Sequence, residues 1–178
     1  SQLAAALTTF LFKLTMMKLL GEDGVAAVTI MIYSQFLLNT LFIGFSMGVA
    51  PAIGFHYGSG NNRQQRKILS ICIRFLATAS LLIFGLSIFG GSGVIRMFAP
   101  DTSHVYEIAA AGFPVFSINF LFCGFNIFIS ALFTALSNGK VSAVLSFLRT
   151  FGLLCGGILL LPRFFGITGI WMAVPMAE

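Results

Sequence analysis

The 178-residue chain has 58% hydrophobic and 8% charged side chains and a formal net charge of +5. Since a soluble domain carries about a quarter charged residues, this composition excludes a water-facing surface, and the apolar side chains must face lipid. A spanning helix takes about 20 apolar residues, so the length predicts an all-α integral membrane protein with a bundle of six transmembrane helices.

Six apolar runs, separated by short polar turns, are the predicted spans. We expect them over residues 1–20, 25–57, 68–89, 105–136, 141–161 and 167–178. Ser103 is the expected N-cap of the fourth span. The chain begins with Ser1 rather than Met and ends inside the sixth apolar run, so we interpret residues 1–178 as one transmembrane lobe of a longer protein, with its sixth helix truncated.

The second predicted span is longer than a bilayer requires. It contains Pro51 between Gly48 and Gly54. Proline removes one backbone donor and clashes with the preceding turn. We therefore expect this helix to bend at these three residues.

A basic cluster follows the second span. Arg63, Arg66 and Lys67 come directly after a polar Gly-Ser-Gly-Asn-Asn turn. Because cytoplasmic loops carry an excess of Lys and Arg, the cluster predicts that this side is cytoplasmic. We expect its charges to lie at anionic lipid headgroups.

Motifs for enzymatic chemistry are absent from the sequence. It has no phosphate-binding Gly-rich loop, no His-Glu-x-x-His pattern and no Gly-x-Ser-x-Gly elbow. His56 and His104 lie on opposite predicted sides, and the three cysteines are scattered. We predict no enzyme, no metal site and no organic cofactor. The basic residues stand singly or near helix ends, so no nucleic acid is expected as a partner.

Five polar side chains inside the spans are candidates for a substrate cavity: Tyr33, Gln35, Asn39, Asn119 and Asn126. Residues four apart share one helical face, and a polar group in lipid needs a partner or water. The face must therefore point inward. Hydrogen bonds between helices and the lining of a wet cavity remain equal alternatives.

Two basic residues, Arg149 and Lys13, lie deeper in their spans than the others. Long basic side chains near a span end normally extend to the membrane interface. We favour this interpretation for both residues over a role in a cavity.

Residues 44–67, GFSMGVAPAIGFHYGSGNNRQQRK, provide the clearest family signature. They resemble the eighth-helix motif of the multidrug and toxic compound extrusion (MATE) family, in which a Gly-rich helix with a central Pro runs into a Tyr-Gly-x-Gly-Asn exit and a basic ninth helix. Residues 20–27, 125–140 and 166–175 resemble the turn between helices seven and eight, the end of helix ten and the start of helix twelve. The pattern is most similar to the bacterial branch with DinF-like and MepA-like members.

The resemblance implies most of the C-terminal lobe of a twelve-helix transporter. Such a protein would be a proton- or sodium-coupled antiporter in the bacterial inner membrane, exporting drugs or other amphipathic or cationic compounds by alternating access. Its partners would be membrane lipid, a small-molecule substrate and the N-terminal lobe of the same protein. Some members carry carboxylates on helices seven and ten, but the matching positions here are near Ala6 and Asn126. The resemblance therefore implies that the coupling ion binds in the N-terminal lobe.

Two other functions remain as alternatives. A flippase of lipid-linked precursors or polysaccharides would have a strongly basic cavity to hold a pyrophosphate, whereas only Arg149 and Lys13 could contribute here. A non-transporting membrane scaffold would not need polar faces buried at mid-span.

Overall fold

A computed structural model describes the backbone of residues 2–178 and the side chains of residues 6–178. All regular structure in this part of the chain is helical. The helices are α1 (Gln2–Gly58), α2 (Asn62–Arg96), α3 (His104–Ser117), α4 (Cys123–Ala135), α5 (Gly139–Phe147) and α6 (Gly156–Ala177). A 3-10 segment, Ile118–Leu121, joins α3 to α4, and a π-helical segment, Leu148–Cys155, joins α5 to α6.

Four continuous stretches of the described residues are long and apolar enough to cross a membrane: Ala6–Gly58, Asn62–Arg96, His104–Ala135 and Gly139–Ala177. Two of them bend at a glycine with positive φ. Gly21 has φ 65° and ψ −150°, and Gly166 has φ 59° and ψ −136°. Glycine reaches this region because it has no Cβ. Each bend divides its stretch into two arms, which yields the six helical segments predicted from the sequence and confirms the bundle.

The two arms of α6 form a tight antiparallel pair. A Cβ at Gly157 would lie 3.3 Å from the Cβ of Ala173, and a Cβ at Gly169 would collide with the main-chain carbonyl of Leu161. In both pairs, 157 with 173 and 161 with 169, the midpoint in sequence is residue 165. The two arms therefore pair in one constant register. Continuing that register brings Glu178 beside the π-helical segment that carries Arg149.

Buried apolar side chains form two clusters, one towards each end of the bundle. The first, at the end that carries the bends at Gly21 and Gly166, includes Phe12, Phe113 and Trp171. The second includes Phe42 and Phe120. Both clusters draw on α1, so this helix packs along the length of the lobe.

Element ends differ from the predicted spans where polar residues stay helical. Helix α2 begins at Asn62 rather than near residue 68, because the Asn61 side chain accepts a hydrogen bond from the Gln64 backbone N–H at 3.2 Å and caps the helix. The Ser103 hydroxyl accepts from the Tyr106 backbone N–H at 3.2 Å, which confirms the predicted cap.

Candidate substrate cavity

A cavity of about 900 Å³ lies between both arms of α1, helices α3, α4 and α5, the π-helical segment and α6. Its size suits a small-molecule site, since such pockets are about 300–1,000 Å³. Much of the wall is apolar. The polar side chains on it are Thr8, Thr9, Gln35, Asn39, Thr134, Ser142, Ser146, Arg149, Thr150 and Glu178.

Arg149 and Glu178 are the charged residues among the described lining side chains, and they form an ion pair. The guanidinium Nη1 lies 3.0 Å from Glu178 Oε2. The Glu178 side chain is 9% exposed, whereas that of Arg149 is 36% exposed. A carboxylate inside a membrane bundle is costly unless it is paired, and the contact with Arg149 provides that pairing.

Asn126 supplies a second donor to the same carboxylate. Its Nδ2 donates to Glu178 Oε2 at 2.9 Å and also contacts the Glu178 main-chain oxygen. Asn126 lies on α4, Arg149 on the π-helical segment and Glu178 at the end of α6. Three separate elements therefore meet at one carboxylate oxygen. We call Asn126, Arg149 and Glu178 the carboxylate site.

The amides on α1 pair with residues of the 3-10 segment and α4. Gln35 Nε2 donates to Asn119 Oδ1 at 3.4 Å, and the Cys123 thiol donates to Asn39 Oδ1 at 3.2 Å. The partners are 84 residues apart in both pairs, so these two strips of chain run parallel and in one register. Gly124 permits the close approach, because a Cβ there would lie 2.6 Å from the Phe42 ring.

The five predicted cavity residues take different positions in the structure. Gln35 and Asn39 lie on the cavity wall. Asn119 is fully buried behind Gln35 and also donates to the Phe116 carbonyl at 2.7 Å. Asn126 reaches the cavity through its bond to Glu178. Tyr33 is 60% exposed and lies outside the described wall.

The predicted bend around Pro51 is not a break in the helix. Helix α1 continues through Gly48, Pro51 and Gly54, and Gly21 is the residue of α1 with non-helical dihedral angles. A gentler bend at these residues stays a prediction.

The predicted cytoplasmic cluster lies at the start of α2. Arg63, Arg66 and Lys67 are exposed there. Their charges are therefore free to meet headgroups, and that role stays a prediction.

Sequence reasoning missed Glu178 and did not find the partner of Arg149. Both residues occur within or next to long apolar runs. The signal that could have found them is the cost of a lone charge in lipid, which predicts that an acid and a base at such positions seek each other. Their pairing differs from the favoured interpretation, in which Arg149 extends to the interface.

Six apolar helical segments around a cavity define the class: a multi-pass membrane protein. The chain belongs to the MatE family, whose model matches residues 1–155. No curated protein matches the sequence.

Solved MATE structures share this fold. An outward-facing multidrug resistance MATE family transporter of the MOP superfamily superposes with a TM-score of 0.89 at 18% identity. The Vibrio cholerae MATE transporter VcmN has a TM-score of 0.90 at 20% identity. A MOP superfamily transporter from Pyrococcus furiosus, described as having a binding pocket of reverse polarity that suggests a different function, has a TM-score of 0.90 at 18% identity. Each match covers 99% of this chain and 40% of the other, so the chain spans about two fifths of their length.

Proposed function

We propose that the protein containing this lobe is a cation-coupled antiporter that exports drugs or other amphipathic or cationic compounds by alternating access. The observation that carries the proposal is the Glu178 carboxylate on the wall of a mostly apolar cavity of about 900 Å³. A carboxylate attracts a cationic group, and the apolar wall accepts the rest of an amphipathic molecule.

Aromatic rings on the same wall support a cationic substrate. Phe147 and Phe151 line the cavity, and their rings lie 4.7 Å apart at 31°. The face of an aromatic ring attracts a cation by about 0.5–2 kcal/mol. The rings can therefore bind flat or bulky cations without a fixed hydrogen-bond pattern.

A second lobe would complete the cavity and couple it to an ion gradient. We place the coupling ion, H⁺ or Na⁺, on acids of the N-terminal lobe, as the family resemblance implies. The ion must bind the two orientations of the lobes unequally, because a ligand with equal affinity for both shifts nothing. The proposed location is the inner membrane of a bacterium, with Arg63, Arg66 and Lys67 at cytoplasmic headgroups.

The flippase alternative is less well supported by the cavity. A site for a pyrophosphate needs several unpaired cations. Arg149 is the basic residue among the described lining side chains, and it is paired with Glu178, while Lys13 is not part of the wall. The cavity therefore favours cationic over polyanionic substrates.

Ethidium efflux from an efflux-deficient bacterium that expresses the full-length protein tests the proposal. Efflux above the vector control is expected, and it should fall in Gln35→Ala and Asn126→Leu at equal expression. Gln64→Ala and Asn62→Leu make the same chemical changes on the exposed start of α2 and should match the wild type.

Efflux at the vector level would reject the exporter. Wild-type efflux in the Gln35 and Asn126 variants would reject their assignment to the cavity.

A further inference from the structure

We propose that Arg149 is a tethered cation that occupies the Glu178 carboxylate in the empty cavity, and that the cationic group of a substrate displaces it. The proposal rests on the proposed export of cationic amphiphiles. It adds that competition with Arg149 for Glu178 selects these substrates. It is based on two differences within the carboxylate site: between the two oxygens of Glu178, and between the two donors Arg149 and Asn126.

The Glu178 carboxylate is bonded on one side only. Both donors, Arg149 Nη1 and Asn126 Nδ2, bind Oε2. Oε1 has no hydrogen-bond partner among the residues that the structure describes, although an ionised carboxylate has about four acceptor positions. Since Glu178 lines the cavity, its second oxygen can receive a group from a ligand.

Arg149 is held more loosely than the other donor. It contacts Glu178 through Nη1 alone, rather than by the two parallel bonds that a guanidinium can form with a carboxylate. Its side chain is 36% exposed, and within residues 6–178 it has no other hydrogen bond. It also lies on the π-helical segment Leu148–Cys155, and such segments occur frequently at functional sites.

Asn126 keeps the carboxylate in place when Arg149 leaves. It lies on α4, and its Nδ2 donates to Glu178 Oε2 at 2.9 Å. The carboxylate therefore has one fixed donor and one removable cation.

Charge explains why the exchange is a displacement rather than an addition. With Arg149 bound, the two charged lining residues cancel, so a further cation would meet no net negative charge. Two cations at one carboxylate in an apolar cavity repel each other strongly. The entering cation gains its full attraction only if the guanidinium moves away.

A tethered competitor also sets the substrate class. A short tether holds a group at an effective concentration of about millimolar, so a small inorganic cation must outcompete Arg149 by charge alone. A cation with a large apolar body gains further free energy from the phenylalanine wall. The site should therefore select cationic amphiphiles and exclude simple metal ions.

Binding of tetraphenylphosphonium to the purified full-length protein tests the displacement. Arg149→Gln should tighten binding about tenfold or more, because the tethered competitor is removed. Glu178→Gln and the double variant Arg149→Gln/Glu178→Gln should both weaken binding about tenfold, since the attracting charge is lost. The double variant has no charge at either position, so it controls for the unpaired charge that each single variant leaves in the cavity.

The direction of the Arg149→Gln effect decides the inference. Unchanged or weaker binding would show that Arg149 is a structural partner of Glu178. A structure of the wild-type protein with tetraphenylphosphonium gives the same answer without a variant. The expected result is a cation beside Glu178 and a broken Arg149–Glu178 contact, and a persisting contact would overturn the proposal.

Ethidium and tetraphenylphosphonium export by the wild type separates the two proposals. Export without tighter binding in Arg149→Gln rejects only the displacement. Wild-type protein that neither binds nor exports these cations rejects both.

Discussion

The indole of Trp171 lies against the backbone of Gly112, so closely that a Cβ added to the glycine would fall 2.6 Å from Trp171 Cδ2. This contact joins α3 to the second arm of α6. The indole also meets Phe12 of α1 edge-on, with ring centroids 6.4 Å apart. Trp171 therefore joins α6 to both α3 and α1, and the small size of Gly112 permits this packing.

Gly112→Ala should destabilise the protein by about 1–3 kcal/mol, the usual cost of adding a methyl group to a packed interior. Thermal unfolding of the purified full-length protein measures the effect. Gly90→Ala is the matched control, because a Cβ there meets no atom within 4 Å and alanine favours the helix. Equal melting temperatures for the two variants would contradict the packing role of Gly112.

Gly166→Ala should cost about 1–3 kcal/mol for a different reason. A positive φ with strongly negative ψ is essentially restricted to glycine, and a Cβ at this position would meet no atom within 4 Å. The loss would therefore come from the backbone alone. Gly156→Ala, in helical conformation and equally uncrowded, should be neutral or slightly stabilising. A melting temperature for Gly166→Ala as high as that of Gly156→Ala would argue against the bend.

Asn119→Leu should destabilise the lobe by about 1–3 kcal/mol, because it leaves the Phe116 carbonyl and the Gln35 amide without their buried partner. Denaturation of the full-length protein in detergent is the measurement. Asn138→Leu changes an exposed asparagine without a capping bond and serves as the control. Wild-type stability in Asn119→Leu would mean that water replaces the lost bonds.

The triple variant Arg63→Gln/Arg66→Gln/Lys67→Gln should retain less anionic lipid than the wild type. Each basic residue near a charged membrane surface contributes about 1 kcal/mol of attraction. Native mass spectrometry of the purified protein counts the bound phosphatidylglycerol. Gln64→Ala/Gln65→Ala alters the same turn without changing charge. Equal lipid retention in all three proteins would remove the basic cluster from headgroup binding.

The bends of the chain could be partly predicted from residue type. The polar turn between the predicted spans 1–20 and 25–57 indicated the first bend, and the structure places it at Gly21. The fifth span was predicted to end at residue 161, directly before Pro162, but α6 continues helically to Gly166. A proline breaks one hydrogen bond but keeps φ near −65°, whereas Gly166 has a positive φ and reverses the chain.

The candidate site was less accessible to sequence reasoning. The four-residue spacing of Gln35 and Asn39 placed both on one inward face, because helical periodicity is local. Asn119 and Asn126 were both predicted in one continuous span, but Asn119 lies within the 3-10 segment Ile118–Leu121 and Asn126 lies on α4. Asn119 is consequently buried behind the wall, while Asn126 turns to Glu178.

The sequence alone determined that this chain belongs in a bilayer and contains six apolar segments, because transfer from water to lipid depends on which side chains are present and how long their runs are. Only the tertiary structure decided that Glu178 meets Arg149, 29 residues away, and Asn126, 52 residues away. That meeting depends on the register in which the arms of α6 pair across Gly166 and pack against α3 and the π-helical segment. Side-chain shape sets such a register through contacts between distant residues, and no local pattern in the sequence contains it.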